Sequence, residues 1–149
     1  GDVRALLTEA AAEFGPSAAV KGIELSVEDG GGRMAASFDH ARLFQVLSNL
    51  IVNAIKFSSR GGRIALRADA AGQDVRVSVR DQGAGIAGDQ LESVFDRFVQ
   101  VHQIDRRGLG LGLYIAKRIV AGHSGRIWAE STPGEGTTIN FTIPALAPG

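Results

Sequence analysis

The sequence has 149 residues, with 44% hydrophobic and 21% charged side chains, and its basic and acidic residues balance at 16 each. A chain of this length can bury one hydrophobic core, so we expect a single domain over residues 1–149. The zero net charge and the lack of a basic run argue against nucleic acid as a partner. The absence of cysteine excludes disulfides, thiolate metal sites and a cysteine nucleophile.

The sequence carries no signal for membrane insertion or export. No apolar run reaches about 18 residues, the length that a spanning helix needs, and no signal-peptide pattern opens the chain. We therefore expect no direct membrane contact by this domain and a cytoplasmic location. Because residue 1 is glycine rather than methionine, we expect a fragment or a processed chain, and any anchor of the parent protein in the inner membrane would lie outside it.

The first half of the chain predicts two helices and a strand. Apolar residues at helical spacing predict a helix over Asp2–Phe14, which Gly15-Pro16 should end. Alternation over residues 22–29 predicts a half-buried strand, and a glycine run then makes a turn. A second helix should begin after Asp39, a good N-cap residue, and run to about Phe57.

The second half predicts two hairpins that flank a third helix. Residues 62–70 and 73–81 read as one antiparallel pair, and residues 125–132 and 136–144 as another. Between them, an irregular region leads through three alternating glycines into a helix over residues 113–123. Helices and adjacent strand pairs in this order favour a two-layer α/β sandwich, with the helices on one face of a largely antiparallel or mixed sheet.

The second predicted helix carries a polar stripe as well as an apolar one. At about 100° per residue, Gln45, Asn49, Asn53 and Lys56 fall on one side of it. Such a stripe is usually a solvated surface. Here Val52 interrupts it, and asparagine is a poor helix former unless its amide is used. Amide oxygens one turn apart, with a lysine beyond them, would alternatively suit a hydrated magnesium ion and phosphate oxygens.

Two glycine-rich stretches admit both a turn and a ligand site. The segment "RGLGLGL" (107–113) opens a helix, where free N–H groups and a partial positive charge favour an anion. It lacks the lysine and hydroxyl of a Walker A loop, and it follows a long loop rather than the strand that a dinucleotide motif requires. If it holds a triphosphate, Asp81 in "DQGAGI" (81–86) would accept a hydrogen bond from the exocyclic amine of adenine. Gly83 and Gly85 would let the base approach the backbone.

In this order, these stretches resemble the catalytic and ATP-binding domain of sensor histidine kinases, within the superfamily that includes gyrase, mismatch-repair and chaperone ATPases. The segment "FQVLSNLIVNAIKFS" is similar to the family's N box, and "DQGAGI" to its first glycine box. "VFDRF" is similar to its phenylalanine box, "GLGLGLYIAKRIV" to its second glycine box, and "HSGRIWAESTPGEGTTINFTIP" to its final hairpin. Four ordered boxes, followed by this hairpin and spread over nearly the whole chain, are far more specific than any single motif.

The resemblance implies a Bergerat-type fold, an α/β two-layer sandwich in which helices pack on one face of a mixed sheet. It also implies ATP and Mg²⁺ as cofactors, with Asn53 as the metal ligand and Asp81 as the residue that reads adenine. An ATP lid would span about Gln100 to Arg107. The other implied contacts to the nucleotide are Gly83, Gly85, Ile86, Gly108, Leu109, Gly110, Leu111, Gly112 and Thr138, together with the candidate catalytic residues Asn49, Lys56, Arg97 and Gln100.

The resemblance further implies phosphoryl transfer rather than hydrolysis. Hydrolytic members carry a glutamate four residues before the magnesium asparagine, and this chain has Asn49 there. In such kinases the acceptor histidine lies on a separate helical dimerisation domain, and the downstream partner is a response regulator. We find no dimerisation domain in this sequence, and His40, His102 and His123 do not resemble an acceptor. Two alternatives stay open: a non-catalytic nucleotide-sensing regulatory module, and an anti-sigma-type serine kinase of the same fold.

Overall fold

The computed structural model describes residues 1–30, 34–58, 60–83, 109–132 and 134–146. Within these ranges, none of the helices combines the length and the apolar character that a membrane span requires. The described elements, in chain order, are α1 (Val3–Val20), β1 (Glu24–Asp29), α2 (His40–Phe57), β2 (Arg63–Ala71), β3 (Asp74–Arg80), α3 (Leu109–Gly122), β4 (Arg126–Thr132) and β5 (Gly136–Pro144).

The described strands form one mixed sheet in the order β1-β2-β3-β5-β4. β1 and β2 are parallel, and all the other neighbouring pairs are antiparallel. A parallel pair needs a long crossover connection, and α2 lies in the connection between β1 and β2. The helices cover one face, since α1 packs on β1 and β2, α2 on β3, and α3 on β4 and β5. The chain thus forms the predicted two-layer sandwich.

Alternation along β3 separates a buried face of the sheet from an open one. Val75, Val77 and Val79 are buried under the helices, whereas the residues between them are only half-buried, because successive strand residues point to opposite faces. The open face is polar. On it, Arg76 donates two hydrogen bonds of 2.9 and 3.2 Å to the carboxylate of Asp69, which is 9% exposed.

The first helix extends beyond its predicted end. We expected it to stop at Phe14, but α1 continues to Val20 with Pro16 inside it. Proline lacks the N–H that a helix needs, and in a helix interior it costs about 3 kcal/mol or more. Ala18 is fully buried beyond this point, and the backbone N–H of Lys21 donates to the Ala18 carbonyl at 3.0 Å. Core packing and this cap outweigh the local proline signal.

α2 has its predicted limits, and neighbouring elements hold both of its ends. Asp39 is the N-cap residue, and its backbone N–H donates to Nε2 of His123, just beyond α3, at 3.1 Å. At the other end, Nζ of Lys21 donates to the carbonyl oxygens of Ile55 at 2.8 Å and Lys56 at 3.0 Å. A cation at this end complements the helix dipole. α2 is therefore fixed relative to both α1 and α3.

α3 begins earlier than the sequence suggested. We expected the glycines at 108, 110 and 112 to precede a helix that starts at Leu113. Instead the helix begins at Leu109, so Gly110 and Gly112 lie within its first turns. A helix tolerates glycine at a modest cost, and the missing side chain allows close approach of another element. Gly112 lies close to α2, where a side chain would contact Asn49 and Asn53.

Candidate nucleotide-binding site

Two asparagines of α2 face the beginning of α3. Asn53 is buried, with 7% of its surface exposed, and Asn49 is half-buried. Nδ2 of Asn49 donates to the carbonyl oxygen of Gly112 in α3 at 3.1 Å. The two asparagines are one turn apart and therefore share a helix face. At these positions the polar stripe of α2 is an interior surface between two helices, whereas Gln45 and Lys56 are exposed.

Gly112 keeps room beside both amides. A Cβ at this position would lie 3.6 Å from Nδ2 of Asn53 and 3.7 Å from Cβ and Cγ of Asn49. These are ordinary van der Waals distances, so a methyl group would fit but would already touch both asparagines. Any longer side chain would extend across the amides. We call the arrangement of Asn49, Asn53 and Gly112 the amide pocket.

The amide of Asn53 fits a hydrated cation. Its Nδ2 is buried and has no hydrogen-bond partner among the described residues. Because buried polar groups are normally paired, this N–H donor is open to an acceptor such as a water or a phosphate oxygen. Its amide oxygen is a hard donor of the kind that Mg²⁺ uses, and Mg²⁺ commonly takes few protein ligands besides waters and substrate phosphates. In the described ranges no group of three or more His, Cys, Asp or Glu residues could hold a metal ion. The residues thus fit magnesium that arrives with phosphates, not a metal cage built by protein alone.

Asp81 follows β3 directly, and only one of its carboxylate oxygens is engaged. Oδ1 accepts hydrogen bonds from the backbone N–H groups of Gly83 at 2.8 Å and Thr137 at 3.2 Å. The first of these bonds closes a local turn. Oδ2 accepts none from the part of the chain that the structure describes. The backbone therefore orients the carboxylate through Oδ1 and leaves Oδ2 with acceptor capacity for a ligand.

Burial raises the pKa of Asp81 above its ordinary value, because desolvation disfavours the charged form. The hydrogen bonds from Gly83 and Thr137 oppose this effect in part, since they stabilise the carboxylate. A desolvated carboxylate makes stronger hydrogen bonds than one in water. Carboxyl groups whose pKa is perturbed in this way occur preferentially at functional sites.

β5 brings Thr137, not the predicted Thr138, to this carboxylate. Thr138 lines a polar groove of about 590 Å³ on the sheet face opposite the helices. Thr137 is buried and directly contacts Asp81. Thr138 therefore lies on the sheet face away from Asp81, and Thr137 is the threonine that contacts this carboxylate, since neighbouring strand residues point to opposite faces. The sequence contained a signal for this, because Thr137 lies an even number of residues before the apolar Ile139 and Phe141 and therefore on the same face of the strand.

Comparison with known families decides the identity of the fold. A family model described as "Histidine kinase-, DNA gyrase B-, and HSP90-like ATPase" matches residues 38–147. This range includes α2, Asp81, α3 and β5. The chain belongs to this ATPase family.

The ATPase domain is similar to known sensor kinases. Sensor histidine kinase WalK of Bacillus subtilis (strain 168) is 45% identical over 111 residues, which cover 71% of this chain and 18% of WalK. Full-length ShkA, solved in complex with AMPPNP, is 34% identical with a TM-score of 0.87, over 100% of this chain and 31% of ShkA. Histidine kinase ThkA, solved in complex with response regulator protein TrrA, is 28% identical with a TM-score of 0.82, over 98% of this chain and 41% of the ThkA chain.

These similarities confirm the predicted histidine kinase catalytic and ATP-binding domain and its α/β sandwich fold. The chain spans less than a third of the length of the curated relatives WalK, SasA and KinB. The activities and partners of these whole proteins therefore involve segments beyond the part that is similar to this ATPase domain.

Several predicted nucleotide contacts of the ATPase domain lie outside the described residues. They are Gly85, Ile86, Arg97, Gln100 and Gly108, together with the expected lid up to Arg107. Leu109, Gly110 and Leu111 lie in the first turn of α3. All of these contacts stay predictions.

Gly136 supports Asp81 in a way that the sequence did not suggest. It begins β5 with a φ of +99°, a conformation that glycine adopts without strain. A Cβ there would collide with the backbone carbonyl of Asp81. From the sequence alone, this glycine is expected only to form part of the final hairpin, because nothing local links it to a residue that precedes it by more than fifty positions.

Proposed function

We propose that this ATPase domain binds Mg²⁺-ATP and transfers the γ-phosphoryl group to a histidine on a separate helical dimerisation domain of its parent protein. One observation carries the proposal: the same domain contains the amide pocket between α2 and α3 and, after β3, the carboxylate of Asp81, whose Oδ1 is hydrogen-bonded to the backbone while its Oδ2 is left to accept from a ligand. The pocket suits phosphates with their metal ion. The carboxylate suits the exocyclic amine of adenine.

At the base end, Oδ2 of Asp81 accepts a hydrogen bond from the amine. Hydrogen bonds to charged groups contribute about 1.5–3 kcal/mol, so this contact alone gives a substantial preference for an amino-bearing base. Gly83 and Thr137 hold Oδ1 and so direct Oδ2. Gly136 keeps β5 close enough for this arrangement.

At the phosphate end, Asn53 would hold the magnesium ion through its amide oxygen, and Asn49 and Lys56 would contact the phosphates or the waters of the ion. Magnesium, when bound, neutralises charge on the phosphate oxygens. The N-terminal turn of α3 adds backbone N–H groups and the positive end of a helix dipole. Gly112 leaves room for these groups beside the asparagines.

The chemistry of Asn49 favours transfer over hydrolysis. An amide is neutral and does not take a proton from water at neutral pH, and its Nδ2 is already engaged by the Gly112 carbonyl. The position that carries a glutamate in hydrolytic members therefore lacks a general base. Phosphoryl transfer to a protein acceptor needs positioning and charge neutralisation more than covalent help from the kinase, and the described residues offer those two functions.

The partners follow from the same proposal. The acceptor histidine lies on the parent's own dimerisation domain, and the phosphoryl group passes from it to a response regulator; the ThkA complex with TrrA supports a partner of this class. We place the domain in the cytoplasm, where ATP is available, with any membrane anchor in another part of the parent protein.

Calorimetric titration tests the binding half of the proposal. ATP, ADP and GTP would each be titrated with and without Mg²⁺. We expect selectivity for adenine over guanine, and a gain in ATP affinity on adding magnesium. Equal binding of GTP would contradict the role of Asp81, and indifference to magnesium would contradict the role of Asn53.

A labelling assay tests the transfer half. The domain would be incubated with γ-phosphate-labelled ATP and the dimerisation domain of its parent. We expect acid-labile label on a histidine of that partner. Acid-stable label on serine would instead favour the anti-sigma-type kinase, and tight binding without any transfer would favour a nucleotide-sensing module.

A further inference from the structure

Lys21 lies just beyond α1, and its side chain binds the C-terminal end of α2. Nζ of Lys21 donates to the carbonyl oxygen of Ile55 at 2.8 Å and to that of Lys56 at 3.0 Å. Carbonyls in the last turn of a helix have no N–H partner within that helix, and these two accept from the ammonium group. Both residues lie within one turn of Asn53. Lys21 is therefore bonded to the part of α2 that the proposed function assigns to phosphates.

The turn after α1 fixes the point from which the Lys21 side chain extends. The backbone N–H of Lys21 donates to the carbonyl oxygen of Ala18 at 3.0 Å, and that of Gly22 donates to the carbonyl oxygen of Ala19 at 2.9 Å. These bonds belong to the part of α1 that continues beyond Pro16. The extension of α1 past its predicted end thus brings the ammonium group to α2.

Phosphates at this end of α2 would lie near the negative end of the helix dipole. A helix carries roughly −0.5 of an elementary charge at its C-terminus. Lys56 is the last residue but one of α2, and Asn53 lies about one turn before the end. The partial charge of the helix end would therefore repel phosphates that these residues bind. An ammonium group hydrogen-bonded to the terminal carbonyls offsets that partial charge.

We propose that Lys21 is a positioning residue for the phosphates of ATP: it offsets the negative end of α2 and fixes the turn from which Lys56 and Asn53 reach the triphosphate and its magnesium ion. The inference rests on the proposed nucleotide-binding function. Lys21 acts through the carbonyls of Ile55 and Lys56 and needs no contact with the nucleotide itself. Its contribution should therefore grow with the number of phosphate groups and be absent for adenosine.

The test compares the dissociation constants of adenosine and ATP, both measured by calorimetry with Mg²⁺. We expect Lys21→Met to lower the ratio of the adenosine constant to the ATP constant roughly threefold to tenfold, the size of charge interactions with a helix end. ADP should lose less affinity than ATP. Adenosine should bind the variant as it binds the wild-type protein, which also shows that the variant is folded. Lys21→Arg keeps a cation at this position and should restore the ratio.

Salt separates the charge of Lys21 from a merely structural role. The factor by which Lys21→Met weakens ATP binding should shrink between about 0.1 M and about 1 M salt, because the screening length falls from about 10 Å to about 3 Å. A loss caused by fraying of the helix end would persist at high salt.

A matched variant controls for the change in net charge. Arg42→Met removes one positive charge from the first turn of the same helix. At 1.5 Å per residue, Arg42 lies about 21 Å along α2 from Lys56, about two screening lengths at low salt. It should leave the ratio unchanged.

Several results would overturn the inference. If wild-type protein binds ATP and Lys21→Met keeps the wild-type ratio, Lys21 does not assist phosphate binding, and the proposed function still stands. If the loss is equal at both salt concentrations, or Lys21→Arg fails to reverse it, Lys21 only holds the fold together. An equal loss in Arg42→Met would show a general effect of net charge. If wild-type protein binds no adenine nucleotide, the proposed function fails and the inference fails with it.

Discussion

Replacing Asp81 with asparagine should separate the two roles of its carboxylate. Asp81→Asn is isosteric, and its Oδ1 can still accept from the N–H groups of Gly83 and Thr137 at 2.8 and 3.2 Å. Only Oδ2 changes, from a charged acceptor to an NH₂ donor. Nucleotide binding should therefore lose one charged hydrogen bond, about 1.5–3 kcal/mol. This corresponds to a loss of roughly 10- to 150-fold in affinity, equal for ATP and ADP because the contact is to the base.

The same substitution should stabilise the free protein. Because burial raises the pKa of Asp81, the folded state binds a proton there more readily than the unfolded chain does. The contribution of this side chain to the free energy of unfolding is therefore largest below the ordinary carboxyl pKa, and it decreases as the pH rises towards the raised pKa. At neutral pH the buried charge is a net cost, so Asp81→Asn should raise the melting temperature.

The pH dependence of binding follows from the same shift. The exocyclic amine makes a stronger hydrogen bond to an ionised acceptor than to a neutral one, so ATP affinity should fall as the pH drops through the raised pKa of Asp81. This fall should begin at a higher pH than an ordinary carboxyl group would produce. Asp81→Asn should bind weakly and lack this pH dependence.

Calorimetry with ATP and ADP, together with thermal unfolding at several pH values, would measure these effects. Asp74→Asn is the matched control, because Asp74 begins the strand that Asp81 follows and has no part in the site. It should leave nucleotide affinity unchanged. Wild-type affinity of Asp81→Asn for both nucleotides would refute the assignment of Oδ2 to the base. A lower melting temperature would show that the carboxylate stabilises the free fold.

Three further substitutions probe the phosphate end and the sheet. Asn53→Ala should weaken ATP binding with Mg²⁺ by at least tenfold yet leave metal-free ADP binding nearly unchanged by calorimetry; equal losses would argue against a metal ligand. Gly112→Ala should keep or raise thermal stability, since a Cβ fits at 3.6 Å, but it should lower the affinity for Mg²⁺-ATP. Gly122→Ala is the control, because this glycine lies in open space on the same helix, and it should not affect binding. Arg76→Met should lower the free energy of unfolding by about 1–3 kcal/mol, measured by urea titration, because it leaves the nearly buried Asp69 without its two hydrogen bonds. A change in ATP affinity would contradict the position of Arg76 on the open face of the sheet.

Local signals predicted the elements well where the sequence and the packing agree. α2 has its predicted limits because an N-cap aspartate and a long apolar stripe point to the same helix. α1 shows the opposite case. A Gly-Pro pair predicts a stop, but the helix continues because Ala18 lies in the core, and that burial depends on elements distant in the chain.

The candidate site likewise combines features that local patterns predicted with features that depend on contacts between distant elements. Four ordered motifs were enough to predict the family, since each motif is a local pattern of residue types, whereas the roles of Asn53 and Asp81 stay predictions. The alternation along β5 already favoured Thr137 over Thr138 for the face that carries Ile139 and Phe141, but the contact of Thr137 with Asp81 needed the pairing of β5 with β3. The contact between Gly136 and Asp81 was not predictable, because it joins residues whose proximity depends on the sheet.

The sequence by itself therefore determined which chemical groups are available: amides on one helix face, a carboxylate at a strand end, and glycines at a helix start. It did so because helical and strand periodicity fix which residues of one element share a face. Only the tertiary structure decided that Gly112 lies against Asn49 and Asn53, and that Thr137 lies against Asp81. Those contacts come from burial of a common core, a free energy that no single segment contains.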